Sequence, residues 1–243
     1  MVKKKDTIIV IPSRINSKRL PNKPLLKIHG KPMILWVADR IRSLNLNYVI
    51  ATDSKRILNL CLSNEHKAIL TPKYLQSGTE RISYLSKNQL KEYSYFINVQ
   101  GDEPLVNLKH VKKIIKFSKI YKDAFLTAIT KISTNKNNPS FVKVAFTKKN
   151  RIVYLSRSLI PFSKDKIKLH KIVGIYSYSK NFLKKYSKVK IGKLELIEKI
   201  EQLRCIEGCL DIFGIEVGKS FKSVDTHKDL SYFNKIPLVK FKI

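Results

Sequence analysis

Short apolar runs alternate with segments of helical periodicity along the first half of the chain. Thr7–Ile11 is rich in β-branched residues and ends at Pro12, which is typical of a buried parallel strand. A polar loop leads to Met33–Leu44, whose apolar residues recur at helical spacing. Further strands are predicted at Tyr48–Ala51, Lys67–Leu70 and Tyr95–Val99, and further helices over Ser54–Ser63 and after Thr79. This alternation predicts a doubly wound, largely parallel α/β sheet with right-handed crossovers.

The pattern changes after about residue 120, where strands follow one another with few helices between them. The predicted strands are Phe125–Thr130, Val142–Phe146, Ile152–Ser156, Val173–Tyr178 and Ile212–Val217. One long helix is predicted over Gly192–Arg204, with a core face made of Leu196, Ile197, Ile200 and Leu203. We expect a mixed-sheet extension that covers the first half. No repeat or low-complexity linker divides the 243 residues, so a single domain is expected, with halves of about 1–120 and 121–243.

Charge and composition narrow the class of protein. Hydrophobic residues make up 43% of the chain, which is enough for a proper core. The formal net charge is +31, which would suit nucleic acid, but the excess is nearly all lysine and is spread along the whole chain. No helix-turn-helix or aromatic-interleaved RNA motif accompanies it. We therefore expect a solvated basic surface without specific nucleic-acid binding, and a field that favours an anionic substrate.

Cysteine usage and the N-terminal segment predict the compartment. Cys61, Cys205 and Cys209 are odd in number and have no metal-ligand spacing with histidine, so they are interpreted as thiols in a reducing compartment. The only apolar run near the N-terminus is Ile8–Ile11, which is too short for a signal peptide or a membrane helix. A cytoplasmic protein without membrane insertion is expected.

A basic loop, Pro12–Leu25, follows the first predicted strand. Its cations are Arg14, Lys18, Arg19 and Lys23, with small polar residues between them. Ligands of open α/β sheets bind outside the carboxyl ends of the strands, and cations beside backbone amides suit a triphosphate. The loop lacks the Walker A pattern. The alternative is a solvated loop in a lysine-rich chain.

Carboxylates occur in two separate segments that could meet. Asp102 lies in Gln100–Pro104, directly after the fourth strand, where Mg²⁺ and phosphates would bind. A polar turn that caps the following helix is the alternative. Asp225 and Thr226 precede a short helix, where either would be an ordinary N-cap. If Asp225 lies near Asp102, it becomes a candidate second Mg²⁺ ligand.

Two helix-associated segments carry further polar chemistry. Gln76–Arg81 places Ser77 and its neighbours ahead of a helix, where exposed amides can bind a nucleotide, but Ser77 and Glu80 also fit a capping box. In the long predicted helix, glutamates recur every third position, at Glu195, Glu198 and Glu201. Carboxylates recognise sugar hydroxyls well, and the alternative is a solvent-exposed stripe.

Taken together, these segments resemble the 3-deoxy-manno-octulosonate cytidylyltransferases (CMP-KDO synthetases). The opening pattern of that family, P-A/S-R-x-x-S-x-R-L-P-x-K-P-L, appears as Pro12–Leu25 and continues into Gly30–Ile34. Other motifs match in the same order over nearly the whole chain: Ala51–Asp53, Gln76–Arg81, Asn98–Pro104, Ser156-Arg157, Gly174–Tyr176, Leu194–Arg204 and Val224–Thr226. Other sugar nucleotidyltransferases share the first loop. Its combination with Gln100–Pro104 and Glu201–Arg204 is specific.

The resemblance implies a Rossmann-like nucleotidyltransferase fold, Mg²⁺, and cytidylyl transfer from CTP to the anomeric hydroxyl of a 3-deoxy-octulosonate (KDO), for lipopolysaccharide or capsule synthesis. It also implies a homodimer, with sugar binding and dimerisation in the second half. The implied catalytic residues are Arg14, Lys23, Asp102 and Asp225, of which Asp102 and Asp225 would bind Mg²⁺. The implied nucleotide contacts are Pro12, Ser13, Arg14, Lys23, Ser77, Gly78, Thr79 and Arg81. The implied sugar contacts are Gln100, Arg157, Tyr176, Glu198, Glu201 and Gln202.

Two departures from the family pattern concern the sugar. Ile172 occupies a position where the family usually has His, with His170 two residues earlier, and Gly192-Lys193 replaces a common Ser/Thr-Pro pair. Cytidylyl transfer is therefore expected, while the acceptor stays open among KDO, its 8-amino analogue and a nonulosonate. A noncatalytic nucleotide- or RNA-binding protein would explain the charge but not the ordered motifs.

Overall fold

The computed structural model describes residues 6–17, 19–164 and 167–241, so Lys18 of the basic loop lies outside the described residues. The strands are β1 (Thr7–Ser13), β2 (Lys27–Ile28), β3 (Lys31–Pro32), β4 (Tyr48–Thr52), β5 (Ala68–Leu70), β6 (Tyr95–Val99), β7 (Phe125–Lys131), β8 (Lys143–Phe146), β9 (Ile152–Ser156), β10 (His170–Ser179) and β11 (Ile212–Glu216). The helices are α1 (Met33–Arg42), α2 (Lys55–Ser63), α3 (Gly78–Lys87), α4 (Leu108–Ser118), α5 (Lys180–Tyr186), α6 (Lys193–Glu198), α7 (Leu203–Glu207) and α8 (His227–Lys235). None of the helices in these ranges is long and apolar enough to cross a membrane.

One large sheet contains strands from both halves of the chain, in the order β11-β7-β10-β6-β1-β4-β5. The first-half strands β6, β1, β4 and β5 pair in parallel, as their apolar, β-branched sequences predict. Strand β10 pairs antiparallel with both β6 and β7, and β11 pairs in parallel with β7. The predicted α/β class with a largely parallel sheet is confirmed. The mixed part continues the same sheet and does not cover it, because β10 pairs with the edge of β6 that would otherwise be open.

Helices cover both faces of this sheet, and each face has its own core. Apolar residues of α1, α2 and α4 pack on one face. Apolar residues of α3, α5 and α7 pack on the other. A third, smaller core joins Leu20 of the basic loop, Leu105 beyond β6, and Val224 and Phe233 near α8. It therefore fixes three distant segments of the chain at the carboxyl end of β6.

The predicted long helix over Gly192–Arg204 is wrong. Helix α6 ends at Glu198 because Lys199 takes the left-handed backbone conformation, with φ of 53°, and α7 begins only at Leu203. Leu196 and Ile197 are 64% and 75% exposed, so they are not core residues. The break turns the following segment inward, where Glu201 is half-buried and Gln202 is 5% exposed.

Candidate active site

Two adjoining cavities open at the carboxyl ends of β1 and β6. The N-loop cavity, of about 1070 Å³, is lined by the basic loop together with Met33 and residues 76–78. The β10 cavity, of about 670 Å³, is lined by Glu103, Phe141, residues 171–174, Tyr176 and Gln202. Eight of the described residues line both cavities: Arg14, Arg19, Gln100, Asp102, Arg157, Lys199, Glu201 and Asp225. The two lobes thus form one cleft with charged and polar residues at their junction.

The two candidate metal carboxylates lie on either side of one ammonium group. Lys23 Nζ donates to Asp102 Oδ2 at 2.6 Å and to Asp225 Oδ1 at 3.1 Å. Arg19 Nη2 also donates to Asp225 Oδ1, at 3.0 Å. Burial alone would lower the pKa of Lys23, but the charges of the two aspartates raise it. Three of the four predicted catalytic residues therefore meet, and exposed Arg14 lines the same cleft.

Local structure explains why Asp102 and Asp225 meet. Gly101 lets the turn after β6 approach β1, because an added Cβ there would lie 2.9 Å from the carbonyl oxygen of Pro12. The backbone N–H of buried Val224 donates to the carbonyl oxygen of Asp102 at 2.9 Å. Thr226, not Asp225, is the N-cap of α8 and forms a capping box with Asp229. The carboxyl group of Asp225 is consequently available to face Lys23.

The end of β1 and the start of α3 provide polar groups to the N-loop cavity. Strand β1 extends to Ser13, two residues beyond the predicted end, so Pro12 and Ser13 belong to the sheet edge. Ser13 is 3% exposed, and its hydroxyl has no hydrogen-bond partner among the described residues. Ser77 is the N-cap of α3, and both Ser77 and Gly78 line the cavity. These groups are available to an anionic ligand.

Thr79 and Arg81 lie behind this cavity and do not line it. The Thr79 hydroxyl is hydrogen-bonded to the Tyr178 hydroxyl at 2.8 Å. Arg81 is completely buried and pairs with Asp53 at 3.6 Å, and Asp53 Oδ1 accepts the backbone N–H of Ile15 at 3.0 Å. Arg81 thus acts on the basic loop through Asp53. This placement does not provide a direct contact with a nucleotide.

Glu201 links the two sides of the cleft. It lines both cavities, and its Oε1 accepts a hydrogen bond from the Tyr186 hydroxyl at 3.3 Å. Burial raises its pKa, and the neighbouring hydroxyl groups of Thr79 and Ser77 oppose the shift. Gln202, next in the chain, is 5% exposed and lines the β10 cavity. Of these two expected sugar residues, Glu201 therefore lies beside the start of α3, and Gln202 lies in the β10 cavity.

Sequence comparison identifies the family to which this cleft belongs. The family described as "Cytidylyltransferase" matches residues 8–212. The chain belongs to the cytidylyltransferase family. This match spans the lining of both cavities except for residues 220–223, Asp225 and Asp229, which lie beyond it.

Individual relatives place this cytidylyltransferase more closely. It is 38% identical over 227 residues to the 3-deoxy-manno-octulosonate cytidylyltransferase of Fusobacterium nucleatum, covering 91% of this chain and 92% of the relative. It is 35% identical to the 8-amino-3,8-dideoxy-manno-octulosonate cytidylyltransferase of Shewanella pealeana, covering 91% and 94% of the two chains. A solved CMP:2-keto-3-deoxy-manno-octonic acid synthetase complexed with CTP superposes with a TM-score of 0.87 at 34% identity, covering 94% of this chain and 97% of that one. The resemblance found in the motifs and the nucleotidyltransferase fold are confirmed.

Arg157 and Glu198 of the cytidylyltransferase have mainly structural contacts. The Arg157 guanidinium donates to the carbonyl oxygens of Glu198, Lys199 and Pro139, at 2.9, 3.2 and 2.9 Å. The Glu198 carboxylate accepts from the Ser156 hydroxyl at 2.5 Å and from the Arg157 backbone N–H at 2.9 Å. Arg157 lines both cavities, whereas Glu198 lines neither. Both residues fix the end of α6 against β9, so Glu198 is not placed to contact a sugar.

Two charged residues of the β10 cavity carried no role in the sequence analysis. Glu103 is 8% exposed, and its Oε1 accepts the backbone N–H of Gly174 at 2.8 Å. Burial, together with the charge of Asp102, raises the pKa of Glu103 to about 7. Lys171 lies on β10, with its ammonium group 3.8 Å from the centre of the Phe141 ring. In the sequence, Glu103 directly follows Asp102 and Lys171 directly precedes Ile172. These neighbours were the available signal for the two residues.

Proposed function

We propose that this cytidylyltransferase transfers the cytidylyl group of CTP to the anomeric hydroxyl of KDO and releases pyrophosphate. The observation that carries the proposal is the pair of carboxylates, Asp102 and Asp225, which line both cavities and hold the Lys23 ammonium between them. One cavity is lined by the basic loop and suits a nucleotide triphosphate. The other is lined by Gln100, Tyr176 and other polar residues and suits a hydroxylated acid. The names of the relatives support the same reaction.

We further propose that Asp102 and Asp225 bind Mg²⁺. The two carboxylates already converge on one cation, the Lys23 ammonium, so the donor set accepts positive charge at this position. Mg²⁺ is commonly bound by one or two carboxylates together with substrate phosphates and water. Among the described residues, no group of three or more His, Cys, Asp or Glu side chains could bind a metal ion. Substrate phosphates and water would therefore supply the remaining ligands of Mg²⁺. When bound, Mg²⁺ would polarise the α-phosphate and stabilise the leaving pyrophosphate.

The protein's own residues position the reactants for in-line displacement at the α-phosphorus. Lys23, once exchanged from the carboxylates, contributes fixed positive charge to the phosphates together with Arg14. The Ser13 hydroxyl and the amides at the start of α3 orient the nucleotide. Within the described part of the chain, the two cavity linings include no histidine, so no imidazole is assigned as a general base.

An 8-amino analogue of KDO is the second candidate acceptor. The apolar side chain of Ile172 lines the β10 cavity at the position where the family usually has His. An isoleucine cannot donate or accept the hydrogen bond that a histidine makes with a hydroxyl. One relative with 35% identity is named for the 8-amino sugar. Isoleucine at position 172 therefore affects the choice of acceptor and leaves cytidylyl transfer from CTP unaltered.

We also propose that the protein is a cytoplasmic homodimer. Leu196 and Ile197 on α6, with Leu159 and Phe162 beyond β9, are between 47% and 86% exposed. The Ser156 hydroxyl donates to the Glu198 carboxylate at 2.5 Å, which joins the end of α6 to the end of β9. Exposed apolar patches commonly mark interfaces.

Cys61 and Cys205 are buried free thiols, which suits a reducing compartment. Ile197→Asp should shift the molar mass measured by light scattering from dimer to monomer, and an unchanged mass would contradict this interface.

The nucleotide is tested by pyrophosphate release. CTP, UTP, GTP and ATP are each supplied with KDO and Mg²⁺, and the Asp102→Asn variant serves as the matched inactive control. CTP should be strongly preferred. Absence of release with every nucleotide would favour a noncatalytic nucleotide-binding protein.

A further inference from the structure

Lys171 differs from the other cations of the cleft in its lack of an acidic partner. It lies on β10 and lines the β10 cavity. Within residues 6–17, 19–164 and 167–241, no carboxylate lies at ion-pair distance from its ammonium group. The contact that this group makes is with the face of the Phe141 ring, 3.8 Å from the ring centre. A cation–π contact positions the ammonium but does not neutralise its charge.

Neighbouring cations are either paired or exposed to water. Lys23 and Arg19 pair with aspartates, and Lys222 donates to Asp229 at 2.6 Å. Arg14 and Lys199 are exposed, so water stabilises their charge. Lys171 is partly buried, and this burial lowers its pKa, whereas the charge of Glu103 opposes the shift. A partly desolvated ammonium with no carboxylate at ion-pair distance is unfavourable, and an incoming anion would relieve that cost.

The position of Lys171 selects one of the two anionic substrates. Lys171 lines the β10 cavity but not the N-loop cavity, where the basic loop would contact the phosphates. Arg157, the other expected cation on this side, already donates to three backbone carbonyl oxygens. We propose that Lys171 binds the carboxylate of the acid sugar and thereby determines that the acceptor is an acid. This inference rests on the proposed function.

The test compares a charged and a neutral form of the acceptor. Steady-state constants are measured for KDO and for its C1 methyl ester with wild type, Lys171→Met and Lys171→Arg. Lys222→Met is the matched control, because Lys222 lines the same cavity but is paired with Asp229. Loss of a charge-assisted hydrogen bond should raise the KM for KDO about 10- to 100-fold in Lys171→Met. The KM for CTP and the melting temperature should stay near wild type.

The decisive readout is discrimination between the acid and the ester. Wild type and Lys222→Met should prefer the acid, Lys171→Met should lose most of that preference, and Lys171→Arg should recover part of it. Retention of the full acid preference by Lys171→Met would overturn the assignment while leaving the proposed function intact. Failure of wild type to release pyrophosphate with CTP and KDO would overturn both.

Discussion

Replacing Lys23 by methionine should increase the affinity of the free protein for divalent metal. In the structure, the Lys23 ammonium occupies the position between Asp102 and Asp225 that a metal ion would take. A metal must therefore displace it before CTP is present. Methionine retains an unbranched apolar side chain but removes the charge, which leaves two neighbouring carboxylates without their cation.

The contacts of Lys23 set the expected size of this effect. A hydrogen bond to a charged group contributes about 1.5–3 kcal/mol. The three side chains are only 14%, 23% and 21% exposed, but water still reaches them, so the lower end applies to each of the two contacts. Together they correspond to about 3 kcal/mol, which is an upper limit of roughly 100-fold in affinity. We expect an increase of about 10- to 100-fold.

The assay is calorimetric titration with Mg²⁺, or electron paramagnetic resonance of free Mn²⁺, without nucleotide. Arg19→Met is the matched control, because Arg19 contacts Asp225 alone and is 60% exposed. Its affinity for metal should change by less than about 3-fold. Equal gains in metal affinity in both variants would show that the effect comes from net charge alone. No gain in Lys23→Met would refute the view that Lys23 occupies the metal position.

The remaining predictions concern turnover and stability. Asp102→Asn and Asp225→Asn should each lower turnover by orders of magnitude with an unchanged melting curve, and near-normal turnover at limiting Mg²⁺ would contradict the metal assignment. Lys23→Ala should lower kcat more than it raises the KM for CTP, because its charge matters most as pyrophosphate leaves; an effect on KM alone would make it a ground-state contact. Burial would raise the pKa of Asp39, but hydrogen bonds, with His66 first among them, lower it to about 2. The ionised Asp39 therefore stabilises the fold above its ordinary pKa near 4, and this stabilisation is lost as the pH falls toward 2. Chemical denaturation of Asp39→Asn should show a free energy of unfolding about 2 kcal/mol below that of wild type at pH 6. This difference should shrink below pH 4.

Short-range hydrophobic patterns in the sequence correctly predicted the central strands of the sheet. The runs that became β1, β4 and β6 are buried on both faces of the sheet, so their sequences are mostly apolar. The meeting of Asp102 with Asp225 could not be read from spacing, since it depends on a small core that includes Val224 and Leu105. The resemblance to a family was needed to connect them.

The break between α6 and α7 shows where periodicity misleads. Leu196 and Ile197 have helical spacing with Ile200, but Lys199 lies between them in the sequence and has a left-handed backbone conformation. Ile200 is buried, whereas Leu196 and Ile197 are exposed. The left-handed backbone of Lys199 ends α6, so Glu201 does not continue the helical face on which Leu196 and Ile197 lie. Apolar spacing alone does not distinguish a core face from an exposed patch.

Roles within the cleft were less predictable than its location. Arg81 has the charge expected of a phosphate contact, but complete burial directs it to Asp53. Lys171 is one of many lysines in the sequence, and only its burial and its contact with Phe141 distinguish it. Burial and pairing of long charged side chains depend on tertiary contacts, which the sequence does not display.

The decisive measurement is steady-state pyrophosphate release with CTP, Mg²⁺ and one of three acceptors: KDO, its 8-amino analogue or sialic acid. We predict that an eight-carbon acid is strongly preferred, with kcat/KM for KDO or the 8-amino sugar far above that for sialic acid. A higher value for the 8-amino sugar would identify Ile172 as a determinant of the acceptor within the same class. Preference for sialic acid, or no release with any of the three, would contradict the account.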